Sequence, residues 1–157
     1  MTVYKICVCG DSNTGKTSFI RRLVFGTFTK EYSHTTNVDS HTLLVETTYG
    51  PMKFVLWDIP SDSSPEKLKH HFLCMNGAII LENFTELGKW GEYIRDSNSE
   101  CPIINVINKC DHMKNGSSGI KQVMPVSVLN NFQLDLVINT LCRKLSGKND
   151  LFITKEF

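Results

Sequence analysis

The 157-residue chain has no apolar run approaching the roughly 18 residues needed to cross a bilayer. It also has no charged leader followed by an apolar stretch, so no signal peptide is expected. Neither sign of charge is in excess: 17 basic and 16 acidic residues leave a formal net charge of +1. That balance argues against a general nucleic-acid or membrane-surface binder, which normally needs a basic surplus. Internal repeats and low-complexity tracts are missing as well. The six cysteines (Cys7, Cys9, Cys74, Cys101, Cys110 and Cys142) follow no metal or disulfide spacing. Cys7 and Cys9 are two apart on an expected strand and so share a face, which suits neither a bridge nor a zinc clamp. All six are expected to be free thiols in a reducing compartment, leaving the sequons at Asn83 and Asn115 unused. The adjacent His70 and His71 have no third ligand at helical spacing and read as exposed side chains of a helix.

What is present suits one globular domain, with 41% hydrophobic and 21% charged residues. Tyr4 to Cys9 is a short apolar run ending at Gly10, a strand feeding a glycine turn. Lys16 to Val24 places Phe19, Ile20, Leu23 and Val24 on one helix face. Leu43 to Thr48 and Met52 to Asp58, joined by Tyr49-Gly50-Pro51, read as an antiparallel hairpin. Residues 78–81 and 103–107 are near-continuous apolar runs, as in strands buried on both faces of a parallel sheet. Trp90 to Arg95 reads as a helix between them. A last helix carries Val137, Leu141 and Leu145 and stops at Gly147. The order predicts an α/β fold: a mostly parallel six-stranded sheet with one antiparallel hairpin strand, flanked by helices. The expected domain spans 1–148. Residues 149–157 are expected to form a short, loosely attached tail, and 112–119 a loop.

Two motifs carry chemistry. Gly10-Asp11-Ser12-Asn13-Thr14-Gly15-Lys16-Thr17 matches the phosphate-loop pattern between a strand and a helix. Backbone N–H groups and a helix N-terminus wrap an anion there, and glycine permits close approach. Ser12, Asn13, Thr14, Gly15, Lys16, Thr17 and Ser18 are its candidate nucleotide contacts. Lys16 supplies charge to the β- and γ-phosphates, and the Thr17 hydroxyl a ligand to Mg²⁺. Asn108-Lys109-Cys110-Asp111 follows the apolar run 103–107. The Asp111 carboxylate can accept from the guanine N1–H and exocyclic amine together, a donor pair that adenine lacks. Asn108 would tie the base loop to the phosphate loop, and the Lys109 stem would lie along the ring.

With Thr35 and Trp57-Asp58 between them, these motifs resemble the Ras superfamily of small GTPases, and within it most closely the Ran branch. Gly50-Pro51-Met52-Lys53-Phe54 and Arg143-Lys144-Leu145 also resemble Ran at corresponding places. The chain has neither a C-terminal cysteine for prenylation nor a glycine at position 2, and Ran works without a lipid. The resemblance implies GTP or GDP with Mg²⁺, a monomer in cytoplasm and nucleus, and no nucleic-acid or membrane partner. It implies that Phe28 packs on the guanine and that Mg²⁺ is held by Thr17, by Thr35 (with Thr36 as the rival) and, through water, by Asp58. Importin-type transport receptors and the Ran exchange factor are the implied protein partners.

The chain departs from this pattern after Asp58. The family's Thr-Ala-Gly-Gln is replaced by Ile59-Pro60-Ser61-Asp62. Ser61 keeps an N–H for the γ-phosphate, but Pro60 stiffens the segment. Asp62 replaces the glutamine that orients water, and its charge would oppose a triphosphate. Ser12 and Asn13 stand where Ran has glycines. The guanine-supporting Ser-Ala-Lys reads Ser127-Val128-Leu129. The Val128 N–H is expected to reach the base oxygen, while the missing lysine costs about 1–2 kcal/mol, roughly fivefold to thirtyfold in affinity. Ran's basic cluster and acidic tail have no counterpart here, which implies weakened binding to Ran-binding domains. The two expectations are a GTP-binding Ran mimic with slow or absent hydrolysis and a competent small GTPase switch. A small-molecule P-loop kinase is disfavoured for want of a lid-like arginine cluster.

Overall fold

The computed structural model describes residues 1–29, 35–83, 87–110 and 123–157. Asp111, the 112–119 stretch and the Asn115 sequon lie outside these residues. In chain order the elements are β1 (Val3–Gly10), α1 (Lys16–Phe25), β2 (Asp39–Val45), β3 (Met52–Asp58), α2 (Pro65–Leu73), β4 (Gly77–Leu81), α3 (Lys89–Ser97), β5 (Ile103–Ile107), β6 (Val123–Pro125) and α4 (Leu134–Ser146). The sheet order is β2-β3-β1-β4-β5-β6, with β2 antiparallel to β3 and every other pair parallel. This is the α/β architecture expected from the alternation of apolar runs.

The period-2 alternation of β1 builds two cores. Ile6 and Val8 face one way, against Phe19, Ile20 and Leu23 of α1 and Val137, Ile138 and Leu141 of α4. Cys7 and Cys9 face the other, with Leu68 and Phe72 of α2 and Trp90 and Ile94 of α3. Buried in apolar surroundings, the Cys7 thiol is pushed well above its ordinary pKa, and none of the six cysteines is in a disulfide among the described residues. β1 has β3 on one side and β4 on the other, so its C-terminal end is where the connections change direction. Ligand crevices of open α/β sheets form there.

Three expectations change. β2 starts at Asp39 and ends at Val45, rather than running from Leu43 to Thr48. Its polar first half is held by the β3 register, Asp39 against Asp58 through Thr42 against Val55, on the sheet's edge. His71 is half-buried rather than exposed, stacked on His70 at 4.1 Å and tilted against the Trp57 ring at 6.0 Å. The segment after α4 is not loose. Leu151 is 1% exposed, Ile153 bridges Thr47 antiparallel, and the Thr48 N–H donates to Phe152 O at 2.9 Å. Asn139 Oδ1 accepts from the Ile153 N–H (2.9 Å), Asp135 Oδ1 from the Phe157 N–H (3.1 Å), and the Arg143 guanidinium covers the Phe152 ring. Among the described residues no helix is long and apolar enough to cross a membrane.

Candidate functional site

The loop between β1 and α1 is shaped by its neighbours. At Gly10 (φ 149°) a Cβ would collide with the Leu81 carbonyl, because β4 runs alongside. At Gly15 (φ 94°) a Cβ would collide with Asn108 Nδ2. Both glycines are therefore required by close packing as well as by backbone angle. Asn13, where the Ran branch has glycine, adopts φ 60°, a left-handed conformation that asparagine tolerates. Its side chain and that of Ser12 are exposed at the loop's rim.

Gly15 precedes α1 without a side-chain cap, and no acidic residue lies in the first turn, so the helix N–H groups there are open to an anion. Lys16 is 7% exposed, and its Nζ donates to Asp11 O at 2.7 Å. Burial lowers its pKa, while the charges of Asp58, Cys9, Asp11 and Asp62 push the other way. Thr14 Oγ1 donates to the same carbonyl at 2.8 Å. Asp62 is exposed, and its charge is felt at Lys16, on the side of the site where negative charge is least welcome to a phosphate.

Asp58, at the end of β3, lies beneath this loop. The Thr17 hydroxyl donates to Asp58 Oδ2, so its lone pairs remain, and Thr35 donates to Thr17 Oγ1 at 2.8 Å. The structure thus brings Thr17, Thr35 and Asp58 together, in a cleft of about 450 Å³ that Thr36, Asp39 and His41 also line. Thr35, rather than Thr36, makes the hydroxyl contact. Asp58 is 2% exposed, its Oδ1 is buried with no hydrogen-bond partner among the described residues, and burial raises its pKa. An orphaned carboxylate oxygen beside two hydroxyls is a hard, all-oxygen donor set, and a divalent cation such as Mg²⁺ fits it.

Asn108 joins the two motifs. Its Nδ2 donates to Thr14 O at 3.2 Å and its Oδ1 accepts from the Val128 N–H at 3.0 Å. The first contact is the expected tie between base loop and phosphate loop. The second changes an expectation: the Val128 N–H is engaged by Asn108 rather than directed toward a base oxygen. Ser127 beside it is 1% exposed. Lys109 (φ 62°) reaches back to Asn13, donating to its O at 2.8 Å, so its stem spans the gap over the loop. Phe28 is half-buried against the core. Ser18 is half-buried in the first turn of α1.

The segment after Asp58 is anchored in the core. Ile59 is 0% exposed and packs with Leu68 and Phe72, and its N–H continues the β3–β1 ladder to Val8 O at 3.0 Å. Pro60 is buried as well, and Ser61 is half-buried. Sequence reasoning missed Asp11 and Trp90, which bond to each other across the loop at 3.0 Å. Nothing in the sequence distinguishes that tryptophan from an ordinary core residue of an amphipathic helix.

Residues 5–111, from β1 to the end of the Asn-Lys-x-Asp motif, match the family described as "Ras of Complex, Roc, domain of DAPkinase". With that match over more than half of the chain, and with this sheet and phosphate loop, the chain belongs to the Roc family of Ras-like GTP-binding domains.

Proposed function

We propose that the protein is a Ran-like guanine-nucleotide-binding protein that holds Mg²⁺ with GTP or GDP, hydrolyses GTP slowly, and acts on nucleocytoplasmic transport factors. The observation that carries the reading is the contrast within one site. The phosphate loop, Thr17, Thr35 and Asp58 form a coherent cradle, while Ile59 and Pro60 are fixed in the core beside it.

In this reading the helix N-terminus and Lys16 bind the phosphates, and Asn108 holds the base loop against them. Thr17, Thr35 and Asp58 hold the cation, which when bound neutralises phosphate charge. Asp111 reads guanine. Water activation is where the site is poor. A carboxylate at position 62 neither orients water as a carboxamide does nor makes a strong general base. Two unit charges about 4 Å apart also repel by roughly 1–4 kcal/mol. A buried Ile59-Pro60 pair leaves the following residues little freedom to rearrange around the γ-phosphate.

The second reading, a competent switch, is favoured by the intact cation cradle alone. Identifying the nucleotide that copurifies, followed by competition with GDP and ATP, tests the first part. GDP should compete and ATP should not, and Asp111→Asn should shift preference toward xanthine nucleotides. Equal competition by ATP would falsify the guanine assignment. Pull-down of importin-type receptors and of the Ran exchange factor by the GTP-loaded and GDP-loaded protein tests the transport role, which fails if neither form retains any of them.

A further inference from the structure

Asp11 is bonded at both ends. Its carboxylate accepts from Trp90 Nε1–H at 3.0 Å and from Asn83 Nδ2–H at 3.5 Å, and Lys89 Nζ stands 3.8 Å from Oδ1. Its backbone carbonyl accepts from Lys16 Nζ at 2.7 Å and from Thr14 Oγ1 at 2.8 Å. The residue that receives the phosphate-binding lysine is thus itself held by α3, on the opposite layer of the fold. The anchor is rigid: Trp90 is 4% exposed in the core between α2, α3 and the sheet, with Tyr93 edge-on at 6.0 Å.

We propose that Trp90 is a positioning residue of the phosphate site: its indole N–H fixes Asp11 and thereby sets where the Lys16 ammonium stands. This rests on the reading that the loop binds the phosphates of a guanine nucleotide. Two physical effects act in the same direction. A carboxylate held back by an indole N–H and an ammonium is kept off the phosphates, and once released it can swing toward them. A carbonyl whose own residue is fixed also presents a fixed acceptor to Lys16, so the ammonium is already oriented when an anion arrives.

The test is a double-mutant cycle read by direct binding of GDP, with thermal unfolding of the nucleotide-free protein measured in parallel. Trp90→Phe keeps an aromatic side chain and removes the donor. It should weaken GDP binding about five- to twentyfold, a loss of about 1–2 kcal/mol. The unfolding midpoint should fall by roughly 2–8 °C, since the smaller phenyl ring leaves part of the indole's space unfilled. In an Asp11→Ala background the same change should alter affinity by less than about twofold. A tryptophan that only fills the core would give equal losses in both backgrounds, or a stability loss with no loss of affinity, and either result overturns the proposal. Should Trp90→Phe not fold, the Asp11 pair decides. Asp11→Asn keeps an acceptor for the indole and should bind GDP several-fold tighter than Asp11→Ala, and equal affinities refute the tie. If the wild type binds pyrophosphate but not GDP, the guanine reading has failed and the cycle is run with pyrophosphate. If it binds neither, the phosphate reading fails and this inference falls with it.

Discussion

Changing Asp58→Asn should make the nucleotide-free protein more stable and the loaded protein less so. Asp58 is 2% exposed, one carboxylate oxygen takes the Thr17 hydroxyl, and the other has no partner among the described residues. A buried acceptor left unsatisfied costs roughly 1–3 kcal/mol, more when charged. The asparagine amide has the same shape and no charge, but brings N–H groups of its own to be satisfied. A net gain of about 1–2 kcal/mol is therefore expected, or roughly 2–8 °C in unfolding midpoint for a chain of this size. With Mg²⁺ and GDP the order should reverse, because the carboxylate then has its cation. Loss of such an outer ligand weakens metal binding about 10- to 100-fold, worth roughly 1.4–2.7 kcal/mol of linked stability. The pH dependence follows from the same group. Burial raises its pKa above the unfolded value, so its favourable contribution is present at pH below the ordinary carboxylate range and is lost as pH rises through the raised value. Wild-type apoprotein should therefore lose stability, relative to Asp58→Asn, on going from about pH 4 to pH 7. Thermal melts of both proteins, with and without Mg²⁺·GDP, decide the matter. An Asp58→Asn apoprotein that melts below wild type would refute the idea of a carboxylate waiting for a cation.

Three further outcomes are expected. Lys16→Met should abolish GDP binding while flattening the stability of the apoprotein between neutral pH and about pH 10. Burial depresses the Lys16 pKa, so its contribution is lost as pH falls through the folded value; a wild-type curve as flat as the variant's contradicts this. Single-turnover GTP hydrolysis should be at or below roughly 10⁻⁴ s⁻¹, and the combination Pro60→Ala, Ser61→Gly and Asp62→Gln should raise it. A much faster wild type would transfer the balance to the switch reading. Leu151→Ala should cost about 2–5 kcal/mol in urea unfolding, because the side chain is 1% exposed in the α1–α4 core; a change below about 0.5 kcal/mol would mean that the segment is not docked.

Much of this was legible from residue order, for definable reasons. β1, β4 and β5 are apolar on both faces, and Gly10 to Thr17 leaves few alternatives to a phosphate cradle. Where legibility failed, the deciding partner was far away in the chain. Asp39 to Thr42 has no apolar alternation and becomes strand because β3 is paired beside it. His71 is half-buried by Trp57, and the Val128 N–H is taken by Asn108, twenty residues earlier. Residues 151–157 carry neither a helical period nor a turn signal, and their docking depends on Asn139, Asp135 and the 46–48 backbone. Ile59 reads as a departure from the Ras-like pattern, and its packing with Leu68 and Phe72 accounts for an apolar side chain there.

That docked segment also bears on how the chain is made. The Phe152 N–H donates to Thr48 Oγ1 across 104 residues of sequence. At roughly 5–20 residues per second, the tip of the β2–β3 hairpin waits about 5–20 seconds for its partner to be synthesised. During that interval the 46–48 backbone, later capped by 152–154, is an open edge capable of pairing with another nascent chain. Until residues 152–154 are made that edge is exposed, and slowing the ribosome between residues 48 and 152 should raise the misfolded fraction even though the finished fold is unchanged.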